Sequence, residues 1–228
     1  MNIDKRKFEH LLNNLERKSY KNSVFNYETG RKALLSLGKG NIHEWLDTLL
    51  PNTRLIIEPK IIGSDIGIQY IEGKINKAIN ENSEDITESI NYLSSVPKII
   101  PIKSRLEIRG VLYVEGNSAD KNKNHALIDS KKASTERKEF KFCAFHIFHC
   151  NINQFQCLQE LKGLNFEIPE TETTNFLSDI EIYRQCWNDE KLFQKYPTSG
   201  IVLKINSRKL QKYFGENNIS RHWAYAIN

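Results

Sequence analysis

Residues 55–79 constrain the fold more than any other stretch of the chain. Leu55-Ile56-Ile57-Glu58 and Ile66-Gly67-Ile68-Gln69-Tyr70-Ile71 are rich in β-branched residues, and the second run ends at Glu72-Gly73 before Lys74-Ile75-Asn76-Lys77-Ala78-Ile79. Branching at Cβ suits a pleated strand, and a Glu-Gly dipeptide between two such runs signals a hairpin. A hairpin here, with helical patterns scattered elsewhere, argues for an α+β fold rather than a parallel βαβ arrangement.

The flanking segments complete that reading. Phe8, Leu11, Leu12 and Leu15 recur at the spacing of one helical face, which predicts an amphipathic helix over 4–18. Asn41 can cap a short helix carrying Trp45, Leu46, Leu49 and Leu50. A helix is expected over 84–95, capped at Ser83 and stopped before Pro97, with strands over 105–114 and 139–148. Further helices are expected over 154–164 and 179–195. A break at Thr198-Ser199-Gly200 then leads to a strand over 201–206, a short helix over 209–214 and a last strand over 223–227. The organisation read from this pattern is a short helical appendage, 1–30, and one main domain, 31–228.

Composition narrows the setting. At 228 residues the chain can bury a sizeable core, and Cys143, Cys150, Cys157 and Cys186 show no paired spacing, which points to a reducing, cytoplasmic location. The charged N-terminus lacks the apolar stretch of a signal peptide, and no run is long enough to cross a bilayer, so no membrane partner is expected. A net charge of +5 favours phosphate-bearing partners without requiring nucleic acid.

Lys60 is the residue best suited to chemistry. It sits between Glu58-Pro59 and Ile61-Ile62-Gly63, inside an otherwise apolar run. Desolvation frees an amine lone pair and turns a lysine into a covalent nucleophile, whereas an exposed strand lysine is only surface charge.

From about Leu34 to the C-terminus, several stretches follow one order. They are Leu34-Leu35-Ser36-Leu37, then Glu58-Pro59-Lys60-Ile61-Ile62-Gly63, then Ser83-Glu84-Asp85-Ile86-Thr87 with Val96-Pro97, then Leu106-Glu107-Ile108-Arg109-Gly110. Ser199-Gly200-Ile201-Val202-Leu203-Lys204-Ile205-Asn206-Ser207, Leu210-Gln211 and Arg221-His222-Trp223-Ala224-Tyr225-Ala226 close the series. In this order they resemble the adenylation, or nucleotidyltransferase, domain of NAD-dependent DNA ligases. The resemblance implies antiparallel sheets around a nucleotide cleft, with peripheral helices. It also implies a reaction in which Lys60 attacks the α-phosphorus of NAD, expels nicotinamide mononucleotide and holds AMP as a phosphoramidate. On this carry-over Glu58 contacts adenine, Lys204 neutralises the α-phosphate, and Leu37, Ile61, Gly63 and Arg109 belong to the nucleotide pocket. NAD or another adenine nucleotide, with Mg²⁺, is the implied cofactor.

The departures carry as much weight. Ile62 stands where the family has aspartate, with Asp65 nearby; Val111 replaces a glutamate, and Ser199 replaces an aspartate. Asn80-Glu81-Asn82 is a shortened loop without the family's arginine, and Asn228 stands where a lysine is expected. The aromatic that would stack on adenine falls at Ala144, with Phe145 adjacent. Three readings follow. One is adenine-nucleotide binding with weak self-adenylation at Lys60 and no nick sealing by this chain alone. The second is a catalytically inactive domain, for which no bound nucleotide is required, whose fold serves as a binding or assembly module with a protein partner in DNA repair or replication. The third is a stand-alone nucleotidyltransferase acting on another acceptor.

Two other clusters carry metal-ligand or basic side chains. Cys143, His146, His149 and Cys150 are metal-ligand types, but strand alternation sends Cys143, Phe145, Ile147 and His149 to one face and Ala144, His146, Phe148 and Cys150 to the other, so no metal site is expected. Lys121, Lys123, Lys131, Lys132, Arg137, Lys138 and Lys141 offer a basic surface for DNA.

Overall fold

The computed structural model describes residues 36–38, 41–114, 140–148, 150–215 and 220–228. The helix expected over 4–18, the appendage 1–30, His149 and all of the basic cluster except Lys141 lie outside the described residues.

Two sheets form the framework. In the first, the spatial order is β1 (Ser36–Gly38), β9 (Ser220–Ile227), β8 (Thr198–Ile205), β2 (Leu55–Ile61) and β7 (Glu172–Thr174). In the second it is β4 (Lys74–Ile79), β3 (Ser64–Ile71), β5 (Leu106–Val114) and β6 (Phe140–Ile147). Neighbouring strands are antiparallel except β1 against β9. This is the α+β arrangement of mostly antiparallel strands that the hairpin pattern indicates.

Period-two alternation divides each strand's side chains between a packed face and a cavity face. On β3 and β5, Ile66, Ile68, Tyr70, Leu106, Ile108 and Leu112 join a core roofed by α2 (Thr87–Asn91) and α3 (Gln154–Gly163). On β2 and β8, Leu55, Ile57, Ile201, Leu203 and Ile205 pack with Leu46 of α1 (Ile42–Asp47), Ile180 of α4 (Asp179–Asn188) and Phe193. The remaining faces of the two sheets enclose a cavity between them.

Between β2 and β3 the chain passes from the first sheet to the second through just two residues, Ile62 and Gly63. The Ile62 N–H donates to the Pro197 carbonyl at 2.7 Å and pins this corner. A Cβ on Gly63 would lie 2.2 Å from the Leu112 carbonyl oxygen, so only glycine lets β5 pass this close.

A second irregularity lies between β5 and β6. Arg109 pairs with His146 and Gly110 with Ala144, leaving Phe145 as an extra residue without a partner on β5. Such a bulge re-aims side chains, and it reverses the parity expected from plain alternation. Phe145 and His146 both reach the cavity, while Ala144 and Ile147 both enter the core under α2 and α3.

Two helices are shorter than the sequence pattern indicates. The segment expected to be helical from 84 is helical only over Thr87–Asn91, because Asp85 bridges Ile79 and the Ile86 N–H donates to the Ala78 carbonyl. Ser83 does not cap this helix; it takes a positive φ of 66° in the preceding turn. The helix expected to run to 195 ends at Asn188, since Glu190 and Phe193 adopt φ of 56° and 61° and the chain turns Phe193 into the core. The last helix, α5, is Arg208–Phe214, capped by the Ser207 side chain.

Gly110 shows how closely the bulge is packed: an added Cβ would lie 2.4 Å from both the Cys143 carbonyl oxygen and the Phe142 ring. Gly110→Ala is expected to lower unfolding free energy by about 2 kcal/mol, as overpacking of a close contact does. Urea unfolding monitored by tryptophan fluorescence measures it, and an unchanged midpoint would contradict this packing.

Candidate active site

The cavity between the sheets has a volume of about 560 Å³, within the range of small-molecule sites. All seven residues marked out by the motif reading line it: Leu37, Glu58, Lys60, Ile61, Gly63, Arg109 and Lys204. Their convergence follows from the strand register. Glu58 and Lys60 are two apart on β2 and share a face, and Lys204, partnered with Ile56, is the diagonal neighbour of Glu58 across β8.

Glu58 and Lys204 are both buried, at 3% and 5% exposure, and form an ion pair with Nζ 2.6 Å from Oε2. The other carboxylate oxygen, Oε1, accepts from Gln154 Nε2 at 3.2 Å. Lys204 Nζ also lies 4.5 Å from the centroid of the Phe145 ring, and the Arg109 guanidinium carbon lies 5.6 Å from it. Cations settle against this ring because its π face is electron-rich, and the ring itself lines the cavity.

Along the wall, Arg109 is ion-paired with Asp65. Lys60 Nζ donates to Asn228 Oδ1 at 2.6 Å. Val111 lines the cavity, but Ile62 is absent from its lining because it belongs to the inter-sheet corner. The carboxylate expected two residues after the lysine thus has no counterpart at Ile62, whereas Asp65, three residues further on, does reach the cavity.

Sequence reasoning also missed His146, Arg221, Trp223 and Tyr225 as lining residues. The Arg221–Ala226 motif pointed to the last three as a segment, while the bulge that turns His146 inward leaves no clear mark in the sequence. His146 is buried against Trp223, with ring centroids 5.5 Å apart. Burial, followed by the charges of Arg221, Arg208, Lys204 and Arg109, holds its imidazole well below the usual histidine range, so it is neutral. The Cys143 thiol is pushed well above its usual range, first by burial and then by Glu167 and Glu58, so it stays protonated and is no rival nucleophile. Among the described residues there is no group of three or more His, Cys, Asp or Glu that could hold a metal ion.

No protein-family model matches the chain. Curated relatives do. The DNA ligase of Prochlorococcus marinus (strain NATL2A) is 27% identical over 76% of this chain and 31% of its own length. That of Mesoplasma florum is 25% identical over 89% of this chain and 36% of its own length. That of Metamycoplasma arthritidis is 28% identical over 96% and 38% respectively. The chain therefore spans about a third of the length of the curated relatives it matches. Among solved structures, a Lig E DNA ligase superposes with a TM-score of 0.55 at 13% identity, covering 85% of this chain and 68% of that one. The ATP-dependent DNA ligase of bacteriophage T7, in complex with ATP, gives 0.50 at 13% identity, covering 76% and 62%. The likeness to DNA ligases carried by the motifs is thus found again in similarity across most of the chain, and the fold is that of their nucleotidyltransferase domains. No described helix is long and apolar enough to cross a membrane.

Two measurements probe this electrostatic arrangement. Glu58→Ala leaves the Lys204 charge buried without its carboxylate and should cost about 3–5 kcal/mol of stability, whereas Glu58→Leu combined with Lys204→Met should recover most of that loss; urea unfolding of the three proteins compares them. His146, neutral when folded, gains a proton more readily when unfolded. Stability should therefore fall as pH drops below about 6.5, with a slope of up to about 1.4 kcal/mol per pH unit from this residue. His146→Phe should flatten the pH dependence of the unfolding midpoint relative to wild type, and identical profiles would contradict the assignment.

Proposed function

We propose that this chain is an adenylation unit that binds an adenine nucleotide between its two sheets and transfers AMP to Lys60. The observation that carries this reading is the placement, in one cavity, of a strand lysine, a buried glutamate–lysine pair and an aromatic wall. The aromatic face of Phe145 offers a stacking platform for the base. The Glu58–Lys204 pair beside it offers a carboxylate acceptor and an ammonium donor, the complement of an exocyclic amine next to a ring nitrogen acceptor. Lys204 is accordingly assigned to the base edge rather than to the α-phosphate, because its charge is already engaged by Glu58 and Phe145.

Lys60 then faces the phosphate end. In its free-amine form, its lone pair attacks the α-phosphorus, a P–N bond forms, and the P–O bond to the leaving group breaks. Nicotinamide mononucleotide departs from NAD, or pyrophosphate from ATP, with that electron pair, and the amine proton passes to solvent. Arg109, oriented by Asp65, supplies positive charge on the opposite wall. Mg²⁺, where used, would be held chiefly by the nucleotide's phosphates and water, as a small hard dication usually is.

The site also favours a slow reaction. Ile62 and Val111 offer no polar atom where the family has carboxylates, and the loss of one preorganised group commonly costs about 10²–10³ in rate. Contact between Lys60 and Asn228 ties up the nucleophile with a neutral acceptor. These features support a second reading, in which the fold persists as a nucleotide-binding or assembly module in DNA transactions. Nick sealing is not assigned to this chain, which spans about a third of the relatives' length.

Intact-mass spectrometry after incubation with NAD or ATP and Mg²⁺ tests the proposal. A substoichiometric adduct of one AMP is expected, lost in Lys60→Ala. Nucleotide binding by calorimetry without any adduct would select the binding-module reading, and absence of both would overturn the nucleotide site.

A further inference from the structure

Gln154 is the first residue of α3 and is 1% exposed. Its side chain reaches both walls of the cavity. Nε2 donates to Glu58 Oε1 on β2 at 3.2 Å and to the Phe145 carbonyl on β6 at 2.9 Å. The start of the helix is itself fixed: the Gln154 N–H donates to the Asn206 carbonyl and the Phe155 N–H to Asn206 Oδ1, each at 2.9 Å. Asn206 follows two residues after Lys204, so one short segment supports the lysine, the glutamate and the aromatic bulge together.

Two features show that the amide does more than fill space. Both atoms facing Nε2 are acceptors, so the amide orientation is determined by chemistry: its oxygen could not take that place. The Gln154 Oε1 is buried with no hydrogen-bond partner among the described residues. An apolar side chain would pack there without an unsatisfied acceptor, so the two bonds of Nε2 offset a real cost. Gln154 does not line the cavity and so acts through Glu58 and Phe145.

We propose that Gln154 is a positioning residue that sets the selectivity of this site for adenine over guanine, an inference that rests on the nucleotide-binding reading above. With Lys204 on one oxygen and Gln154 on the other, the Glu58 carboxylate is held at a fixed angle to the Phe145 ring. Its remaining lone pairs accept from the exocyclic amine of adenine and oppose the carbonyl oxygen that guanine carries at the same position. A site built on fixed polar groups discriminates strongly because the wrong ligand leaves them unpaired. Without the Gln154 donor the carboxylate turns and its neighbours adapt, and that discrimination is lost before stacking is.

The test is calorimetric titration of the whole chain with AMP and with GMP, comparing wild type with Gln154→Met, which keeps length and removes the donor. The AMP-to-GMP affinity ratio is expected to fall about tenfold, the scale of one charge-assisted hydrogen bond. Should the methionine variant fail to fold, Gln154→Asn retains an amide one methylene short of Glu58 and is expected to show the same fall. A purely structural role would lower the melting midpoint and weaken both nucleotides alike; an unchanged ratio overturns the inference while leaving nucleotide binding intact. Wild-type protein that binds neither nucleotide overturns both.

Discussion

A glutamate and a lysine buried together set the terms for the centre of this fold. Neither Glu58 nor Lys204 could be taken from water alone without a cost of several kcal/mol, so each requires the other and their remaining polar atoms require further partners. The pair is formed diagonally across β2 and β8, and it draws in Gln154 from α3 and the face of Phe145 from the opposite sheet. The consequence is mechanical as well as electrostatic. A polar cluster made of two sheets and a helix start ties the cavity walls together, while each sheet keeps a separate apolar core on its outer side.

Two small backbone irregularities decide what else enters the cavity. At the Ile62–Gly63 corner the chain leaves one sheet for the other, which places Lys60 on the last turn of cavity wall and takes Ile62 away from it. At the β5–β6 bulge the strand gains a residue, so Phe145 and His146 both line the cavity and the expected separation of alternate residues fails. Glycines permit both events, because Gly63 and Gly110 each lie where an added Cβ would meet a backbone carbonyl at close range. The motif glycines are therefore steric requirements of the cavity's edges.

The apolar replacements in the motifs gain a physical meaning in this setting. Val111 packs with Tyr113, Cys143 and Tyr196 in a small cluster beneath the cavity wall, and Ile61 joins them. Ile62 satisfies a corner rather than a ligand. Charge is nevertheless kept, since Lys60, Lys204, Arg109 and Arg221 all line the same space, with Asp65 set against Arg109. The cavity is thus lined by cations and aromatic rings, with apolar side chains at positions where the resembled motifs carry carboxylates.

Much of this was legible in the sequence, for identifiable reasons. Runs of β-branched residues around Glu72-Gly73 indicated a hairpin, because strand periodicity is a property of neighbouring residues, while Glu58, Lys60, Arg109 and Lys204 were grouped by the resemblance of the ordered motifs to a ligase adenylation domain. What depended on distant contacts was not legible. The early end of α4 at Asn188 follows from burying Phe193, the bulge that selects Phe145 over Ala144 exists only against β5, and the Asn228 contact to Lys60 joins residues far apart in sequence. Residue order and local pattern supply the chemical groups and assign them to strands. Which of those groups share the cavity is settled by long-range packing, because it depends on where one sheet turns into the other and where one strand carries an extra residue.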